Sequence, residues 1–270
     1  MNLPLLFARR YLLAKRSQNA VNVITIISIV VIAVVTGAMV VVLSTLNGIG
    51  DLVDSIYSPF DQDITITPAT GKTFPKNTLD LSQLNALPEV QRSSWVIEEN
   101  VLLRCGDQQG VATMKGVEAQ YLEMSRLKDF LFDGSISLEG TTGPTAILGI
   151  ALKTDLAVPL DDGVFQPLEI SAPIRGRKLS KYQQRAFEQS SLAVSGTYTM
   201  NMEFDAKYAV VPLEFAQEVL HYDSSVSALE VQLKNSKDMD RVAKKLRADL
   251  GPSFIVKTRY QKNALMYQTN

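Results

Sequence analysis

The dominant pattern along the chain is a long, mainly apolar run over residues 21–46. It lies in a segment, residues 17–50, that holds no charged residue and no histidine. With a rise of roughly 1.5 Å per residue, a helix over this run is about 39 Å long, which exceeds the roughly 30 Å hydrocarbon core of a bilayer. In lipid, a lone segment satisfies its backbone hydrogen bonds only as a helix. The pattern therefore predicts a transmembrane helix over residues 21–46.

After this run, alternating apolar and polar positions predict strands, and apolar spacings of three and four predict helices. Two β-α-β patterns result. The first has a strand over 63–67, a helix over 81–87 and strands over 90–104 and 110–117. The second has a strand over 229–233, a helix over 238–250 and a strand over 254–256. We predict that residues 61–119 and 226–258 combine into one split β-α-β half.

Residues 120–225 are then inserted into that half as a mostly β subdomain. Its predicted elements are helices over 121–130, 151–156 and 212–220, and strands over 145–148, 169–171, 192–199 and 208–211. The fold class is α+β, with one N-terminal transmembrane helix followed by an extramembrane domain.

Charge sets the expected orientation of the membrane helix. Arg9, Arg10, Lys15 and Arg16 precede the apolar run, and no acidic residue occurs before Asp51. By the positive-inside rule, residues 1–20 form a cytoplasmic or interfacial basic segment. Residues 47–60 form a helical exit, and the main domain lies outside the cytoplasm. A cleaved signal peptide is the alternative, but the run is too long and lacks a small-x-small cleavage site.

The remaining composition excludes several functions. Residues 51–270 contain more acidic than basic groups, which argues against nucleic-acid binding. Cys105 and His221 are the only residues of their types, so an intrachain disulfide, a thiolate cluster and a multi-histidine site are all excluded. Gly71-Lys72 lacks the upstream glycine of a phosphate-binding loop, and Asp161-Asp162 is typical of a solvated turn. We predict no catalytic, metal or cofactor site.

One polar stretch, residues 173–187, is basic within an otherwise acidic domain. It contains no acidic residue. Two interpretations are open: a solvated connector, or a projecting loop that meets an acidic partner or lipid headgroups. The candidate contact residues of such a loop are Pro173, Arg175, Arg177, Lys178, Tyr182, Arg185 and Phe187.

Several short segments, in order and spacing, resemble the lipoprotein-releasing permeases of the LolC/LolE type. They are ARRYL at 8–12, LSTLNG at 43–48, ILGIAL at 147–152, YAVVPL at 208–213, VSALE at 226–230 and TRYQKN at 258–263. This resemblance implies a MacB-like periplasmic domain anchored in the bacterial inner membrane. It also implies a subunit without enzymatic activity of its own, with ATP hydrolysis on a separate cytoplasmic ABC ATPase.

The resemblance further implies a second permease subunit, a lipoprotein cargo and a periplasmic lipoprotein carrier as partners. In this family the carrier is held by a projecting hook, and the 173–187 loop matches the hook by position. Family members continue through three more membrane helices. Residues 259–270 therefore resemble the approach to a second helix, and we expect a longer full-length protein. Two alternatives stay open: a MacB-like efflux or FtsX-like cell-division permease, and a membrane-anchored binding domain.

Overall fold

The computed structural model describes residues 19–57, 60–141, 143–159, 166–173 and 187–262. The chain divides into two compact units, Met1–Ser55 and Ile56–Asn270, and each is described by itself.

The first unit contains most of a long helix, α1 (Asn19–Tyr57), which passes Gly48 and Gly50 without a break. Its stretch Val23–Ile49 has 27 residues and is long and apolar enough to cross a membrane. As a helix this stretch measures about 40 Å, more than a bilayer core requires.

The few hydroxyl groups in this apolar stretch are satisfied inside the helix. Ser28 Oγ donates to the carbonyl of Ile24 at 2.9 Å, and Thr45 Oγ1 donates to the carbonyl of Val41 at 2.8 Å. A hydroxyl that bonds to its own helix exposes no unpaired polar group, which suits a lipid surrounding. Its apolar side chains are exposed.

The second unit is built on one large sheet. Its strands are β1 (Ile64–Pro68), β3 (Val90–Cys105), β4 (Gln108–Val117), β5 (Leu131–Gly134), β6 (Glu139–Gly140), β7 (Gly143–Gly149), β8 (Leu168–Pro173), β9 (Phe187–Tyr198), β10 (Tyr208–Pro212), β12 (Ala228–Leu233) and β13 (Phe254–Thr258). Neighbouring strands follow the order β13, β1, β12, β3, β4, β10, β7, β9, β5. β6 pairs with β7, and β8 pairs with both β3 and β9. Two short strands, β2 (Phe74–Pro75) and β11 (Ser225–Val226), form a separate ribbon.

Short helices connect and cover the strands. They are α2 (Leu81–Asn85), α3 (Tyr121–Met124), α4 (Ile150–Asp155), α5 (Met202–Lys207), α6 (Leu213–Leu220), α7 (Met239–Leu250) and α8 (Arg259–Lys262). The side chains of Asp80 and Asn201 cap α2 and α5 by accepting backbone hydrogen bonds. α6 ends at His221, which takes a left-handed backbone with φ 51°, a common conformation at the end of a helix.

Strand alternation divides the core into two clusters on opposite faces of the sheet. On β3, Trp95 and Ile97 belong to the larger cluster, whereas Val96 belongs to the smaller. On β10, Val211 lies in the larger cluster and Val210 in the smaller. Because successive side chains point to opposite faces, a strand buried on both sides carries an almost continuous apolar sequence.

The structure confirms the α+β fold, and most predicted elements agree within a few residues. Strands from the predicted insertion, including β7, β9 and β10, continue the same sheet as β3 and β4.

The prediction of one helix over 121–130 was wrong. The segment forms α3 and a separate 3₁₀ turn, Leu127–Phe130, because Ser125 adopts an extended backbone with ψ 156°. The pattern also missed β5, whose four residues are all exposed, and α5. A short exposed strand shows no alternation of burial that a sequence could reveal.

Candidate functional site

The candidate site lies where the chain enters and leaves the second unit. β1 and β13 pair antiparallel, with Ile64 opposite Thr258 and Pro68 opposite Phe254. In such a pair the start of one strand lies beside the end of the other. The residues just before β1 and those of α8 just after β13 are therefore neighbours.

Asp63 is the first link between these segments. Its carboxylate Oδ1 lies 3.1 Å from Nη2 of Arg259, and its carbonyl accepts a hydrogen bond of 3.0 Å from the Arg259 amide. The same carboxylate accepts hydrogen bonds of 2.8 Å from the Leu233 amide and from Ser236 Oγ. One buried carboxylate therefore joins the start of β1, the end of β12 and the start of α8.

Lys115 is the centre of a second, more deeply buried group. It lies on β4 opposite Glu98 of β3, and its side chain is fully buried. Its Nζ is 3.1 Å from Glu98 Oε1 and 2.9 Å from Glu230 Oε1. Glu230 lies on β12 and is itself only 1% exposed. A buried ammonium of this kind is tolerated only when carboxylates and hydrogen bonds compensate for its lost hydration.

Lys262 of α8 joins the same group from the exit side. Its Nζ lies 2.8 Å from Asp61 Oδ1, 3.6 Å from Glu230 Oε1 and 3.7 Å from Glu98 Oε1. We call Asp61, Glu98, Lys115, Glu230 and Lys262 the basal cluster. The cluster connects the segment before β1, the adjacent strands β12, β3 and β4, and the helix α8 after β13. Its nitrogen–oxygen distances lie between 2.8 and 3.7 Å.

Phe60 closes this cluster against the smaller hydrophobic core. Its carbonyl accepts hydrogen bonds from Lys115 Nζ at 3.4 Å and from the Tyr121 hydroxyl at 2.5 Å. The Lys115 ammonium lies 4.6 Å from the centre of the Phe60 ring, which is close enough for a cation–π attraction. Phe60 also contacts the rings of Tyr208 and Phe204, with centroid distances of 4.5 and 5.2 Å.

Burial and charge act against each other on the pKa values of this cluster. Burial lowers the pKa of the Lys115 ammonium, but the attraction of Glu230 and Glu98 outweighs it, so the pKa lies well above its ordinary value. The Lys262 pKa is raised in the same way, against the effect of burial, by Glu98 and Asp61. Burial raises the pKa of Glu98, and the two ammonium groups more than reverse this, so its pKa is lowered. Both lysines and Glu98 are therefore charged at neutral pH.

The site is held together by ion pairs and hydrogen bonds between side chains of different strands. The described part of the chain contains no group of three or more His, Cys, Asp or Glu side chains placed to hold a metal ion. Cys105 is buried, and burial together with the nearby Glu169 raises the pKa of its thiol, which keeps the thiol protonated and unreactive.

The residues predicted from sequence to face partners lie mostly outside the described ranges. The orientation residues Arg9, Arg10, Lys15 and Arg16 are outside them, as are residues 174–186 and Asp161-Asp162. Pro173 and Phe187, at the ends of the basic loop, are cross-strand partners on β8 and β9. The loop therefore connects two neighbouring antiparallel strands.

The basal cluster was not predicted from the sequence. Lys115 occurs in an apolar strand, VATMKGV, and a lone lysine inside such a strand was the available signal. The alternation of apolar and polar residues along β12 places Glu230 on the polar face of that strand. That face is covered in the structure, and Glu230 is buried. The contact between Asp61 and Lys262 joins residues 201 positions apart, and no short-range sequence pattern indicates it.

Comparison with known proteins decides the family. A sequence model described as the MacB-like periplasmic core domain matches residues 25–249, most of the chain. The chain belongs to this family. A MacB-like core domain is the extracytoplasmic domain of an ABC-type permease, and here the apolar helix α1 precedes it as a membrane anchor.

Solved structures of transporter domains outside the cytoplasm are similar to this chain at low sequence identity. The periplasmic region of MacB from Actinobacillus actinomycetemcomitans is 12% identical, with a TM-score of 0.49 over 82% of this chain and 98% of that one. The extracellular domain of the noncanonic ABC-type transporter YknZ from Gram-positive bacteria is also 12% identical, with a TM-score of 0.49 over 73% of this chain and 100% of that one. A search of curated protein sequences gave no match.

Proposed function

We propose that this chain is a permease subunit that releases lipoproteins from the inner membrane to a periplasmic carrier, and that it works by transmitting mechanical movement. The family shown by the sequence model supplies the permease setting. The choice of lipoprotein release rests on the six short segments that resemble the LolC/LolE type, from ARRYL at 8–12 to TRYQKN at 258–263.

The observation that carries the mechanical part is the basal cluster. α1 continues as a helix to Tyr57, and Phe60 and Asp61 follow after two residues outside the described ranges. Both residues are buried and held by contacts to strands in the middle of the sheet and to Lys262. In this proposal, a displacement of α1 reaches the sheet through Phe60 and Asp61, which are fixed to it.

The partners follow from this proposal. Nucleotide-driven closure needs a cytoplasmic ABC ATPase and a second permease subunit, both of which the family resemblance implies. Movement carried through α1 would shift the extracytoplasmic domain and pass a lipoprotein cargo from the bilayer to the periplasmic carrier. The subunit itself has no catalytic role in this scheme.

The 173–187 loop is our proposed contact with the carrier. It leaves and rejoins two paired strands, β8 and β9, and its basic residues suit an acidic surface on a partner. Arg175, Arg177, Lys178 and Arg185, with Tyr182 as an apolar contact, are the residues proposed to bind.

A pull-down of the periplasmic carrier on the full chain in detergent tests this role. Replacing Arg175, Arg177, Lys178 and Arg185 by glutamine should abolish carrier retention. The matched control replaces four exposed lysines elsewhere in the domain, Lys128, Lys237, Lys244 and Lys245, and should retain the carrier. Unchanged carrier binding by the loop variant would overturn the loop assignment.

The same pull-down separates the alternatives. Recovery of an outer-membrane channel would favour a MacB-like efflux permease, and recovery of a cell-wall hydrolase would favour an FtsX-like cell-division role. Recovery of neither a permease nor an ATPase partner would favour a membrane-anchored binding domain. Each of these outcomes contradicts lipoprotein release.

A further inference from the structure

A cavity of about 550 Å³ opens over the basal cluster, on the same face of the sheet. Thr65, Glu98 and Glu230 line it from three strands, and Lys262 lines it from α8. Lys207 and Tyr208, at the junction of α5 and β10, form another part of its wall. This volume falls within the range of about 300–1,000 Å³ that small-molecule sites occupy.

Three residues that line this cavity carry a buried oxygen atom with no hydrogen-bond partner among the described residues: Glu230 Oε2, Thr65 Oγ1 and Glu98 Oε1. Glu230 and Thr65 are 1% and 6% exposed, and Glu98 Oε1 still has an ion-pair contact with Lys115 Nζ at 3.1 Å. Glu230 uses its other oxygen, Oε1, for Lys115 and Lys262. A buried acceptor without a donor costs about 1–3 kcal/mol, so a group that brings N–H donors to these oxygens would recover part of that cost.

The cavity wall also carries a positive charge, at Lys207. Lys207 is exposed, and its Nζ lies 5.0 Å from the centre of the Tyr208 ring. Among the described residues no carboxylate lies within ion-pair distance of Lys207, in contrast to Lys72 on the same wall, which pairs with Glu99 at 2.6 Å. Lys207 is therefore available to an anionic group on a ligand.

We propose that this cavity binds a small zwitterion that carries a primary ammonium and a phosphate. The ammonium donates to the carboxylates of Glu98 and Glu230 and to the Thr65 hydroxyl, and the phosphate pairs with Lys207. Glu98 is the accessible acceptor, since 27% of its side chain is exposed, whereas Glu230 is only 1% exposed. The same zwitterion occurs free as O-phosphoethanolamine and as the headgroup of phosphatidylethanolamine. The proposal does not depend on lipoprotein release.

Because Glu98 and Glu230 also hold Lys262, a bound ammonium would compete for the basal cluster. Occupancy of the cavity would loosen the contact of Lys262 with the two glutamates and leave its contact with Asp61. The cavity is therefore placed to act as an effector site on the link between the entering and leaving chain.

Calorimetric titration of the full chain in phosphatidylcholine nanodiscs with O-phosphoethanolamine tests the proposal. We expect saturable binding at one site per chain. Phosphocholine, which lacks N–H donors, and ethanolamine, which lacks the phosphate, should each bind at least about tenfold more weakly, which corresponds to about 1.4 kcal/mol.

Variants locate the site. Lys207→Met, at an exposed position, should weaken O-phosphoethanolamine binding about tenfold without affecting the fold, while Lys244→Met on α7 should leave it unchanged. Glu98→Gln should weaken it similarly, with thermal unfolding as the check that the domain is intact. Absence of saturable binding to the wild-type chain, or equal binding by Lys207→Met, would overturn the proposal.

Nanodiscs that contain phosphatidylethanolamine show whether the ligand of the cavity is a lipid headgroup or a free zwitterion. If the lipid headgroup fills the cavity, they should suppress binding of the soluble probe, and if the free zwitterion is the ligand, binding should be unchanged. Both outcomes require the cavity site. The carrier pull-down tests residues of the 173–187 loop, whereas the titration tests Lys207 and Glu98. A negative result in one experiment therefore does not affect the interpretation of the other.

Discussion

The ammonium of Lys262 lies 2.8 Å from the carboxylate of Asp61, although 201 positions separate the two residues in sequence. Asp61 is almost fully buried and precedes the first strand, whereas Lys262 ends the helix after the last strand. Together with Asp63 and Arg259, this pair fastens the beginning of the domain to its end.

We predict that Lys262→Met destabilises the domain by about 1–3 kcal/mol, because it removes an ammonium that lies 2.8 Å from the buried Asp61 carboxylate. Urea unfolding of the full chain in detergent, followed by the fluorescence of Trp95, measures the change. Trp95 suits this purpose because it is the only tryptophan and lies buried in the larger core.

A double-mutant cycle with Asp61→Asn should recover part of the loss, since the buried charge is then removed as well. Arg241→Met is the matched control. Arg241 pairs with Glu89 at 2.8 Å, but its side chain is 64% exposed, so its loss should cost about 0–1 kcal/mol. Equal costs for Lys262→Met and Arg241→Met would contradict the structural role given to the cluster.

The local elements were predictable from sequence, and the site was not. β1 and β12 follow from alternation over a few residues, and α7 ends as expected before Gly251-Pro252. The basal cluster depends on the register of β1 with β12 and β13, which brings residues from both ends of the domain together. Register between distant strands is set by the packing of the whole sheet, so short-range patterns carry little information about it.

Burial of both faces of the sheet is the second reason why the basal cluster could not be predicted from sequence. Thr65 and Glu230 alternate with apolar residues, and a half-exposed strand gives the same pattern. Here the polar face is covered by Phe60, Tyr121 and their neighbours, so the polar residues form a buried charge cluster. Only the covering elements distinguish the two cases, and they are remote in sequence.

Lys115→Met should be more damaging than Lys262→Met. It leaves Glu98 and Glu230 facing each other without the central ammonium, and breaking a buried pair in this way typically costs about 3–5 kcal/mol. Urea unfolding with Trp95 fluorescence again measures the loss. The triple variant Lys115→Met, Glu98→Gln, Glu230→Gln should recover most of it, because no buried charge is then left uncompensated. A triple variant that is less stable than Lys115→Met would show that the charges themselves stabilise the fold.

The lowered pKa of Glu98 predicts a loss of stability in acid. A carboxyl whose pKa is lower in the folded state than in the unfolded state stabilises the fold at pH values above its unfolded pKa. For Glu98 that ordinary value is 4.5, and the contribution disappears as the pH falls through the lower folded value. Lys262 and Lys115 favour the charged form, whereas burial and the charge of Asp61 oppose it.

Thermal unfolding between about pH 7 and pH 3 checks this prediction. Glu98→Gln should be less stable than the wild type near neutral pH, and the difference in Tm should shrink as the pH falls below about 4.5. Glu118→Gln provides a control at a carboxylate outside the cluster. A difference between Glu98→Gln and wild type that is the same at all pH values would contradict a lowered pKa.

The helical continuity of α1 at Gly48 gives a test of mechanical transmission. A Cβ added at Gly48 would meet no atom within 4 Å, so Gly48→Ala should stabilise the helix by about 1 kcal/mol without a clash. Gly48→Pro removes a backbone donor and kinks or breaks the helix. In an assembled complex with its ATPase, we expect lipoprotein release to persist in Gly48→Ala and to fall strongly in Gly48→Pro, with ATP hydrolysis continuing in both. Equal release by the two variants would show that movement does not pass along α1, since only the proline variant interrupts the helix near the end of its apolar stretch.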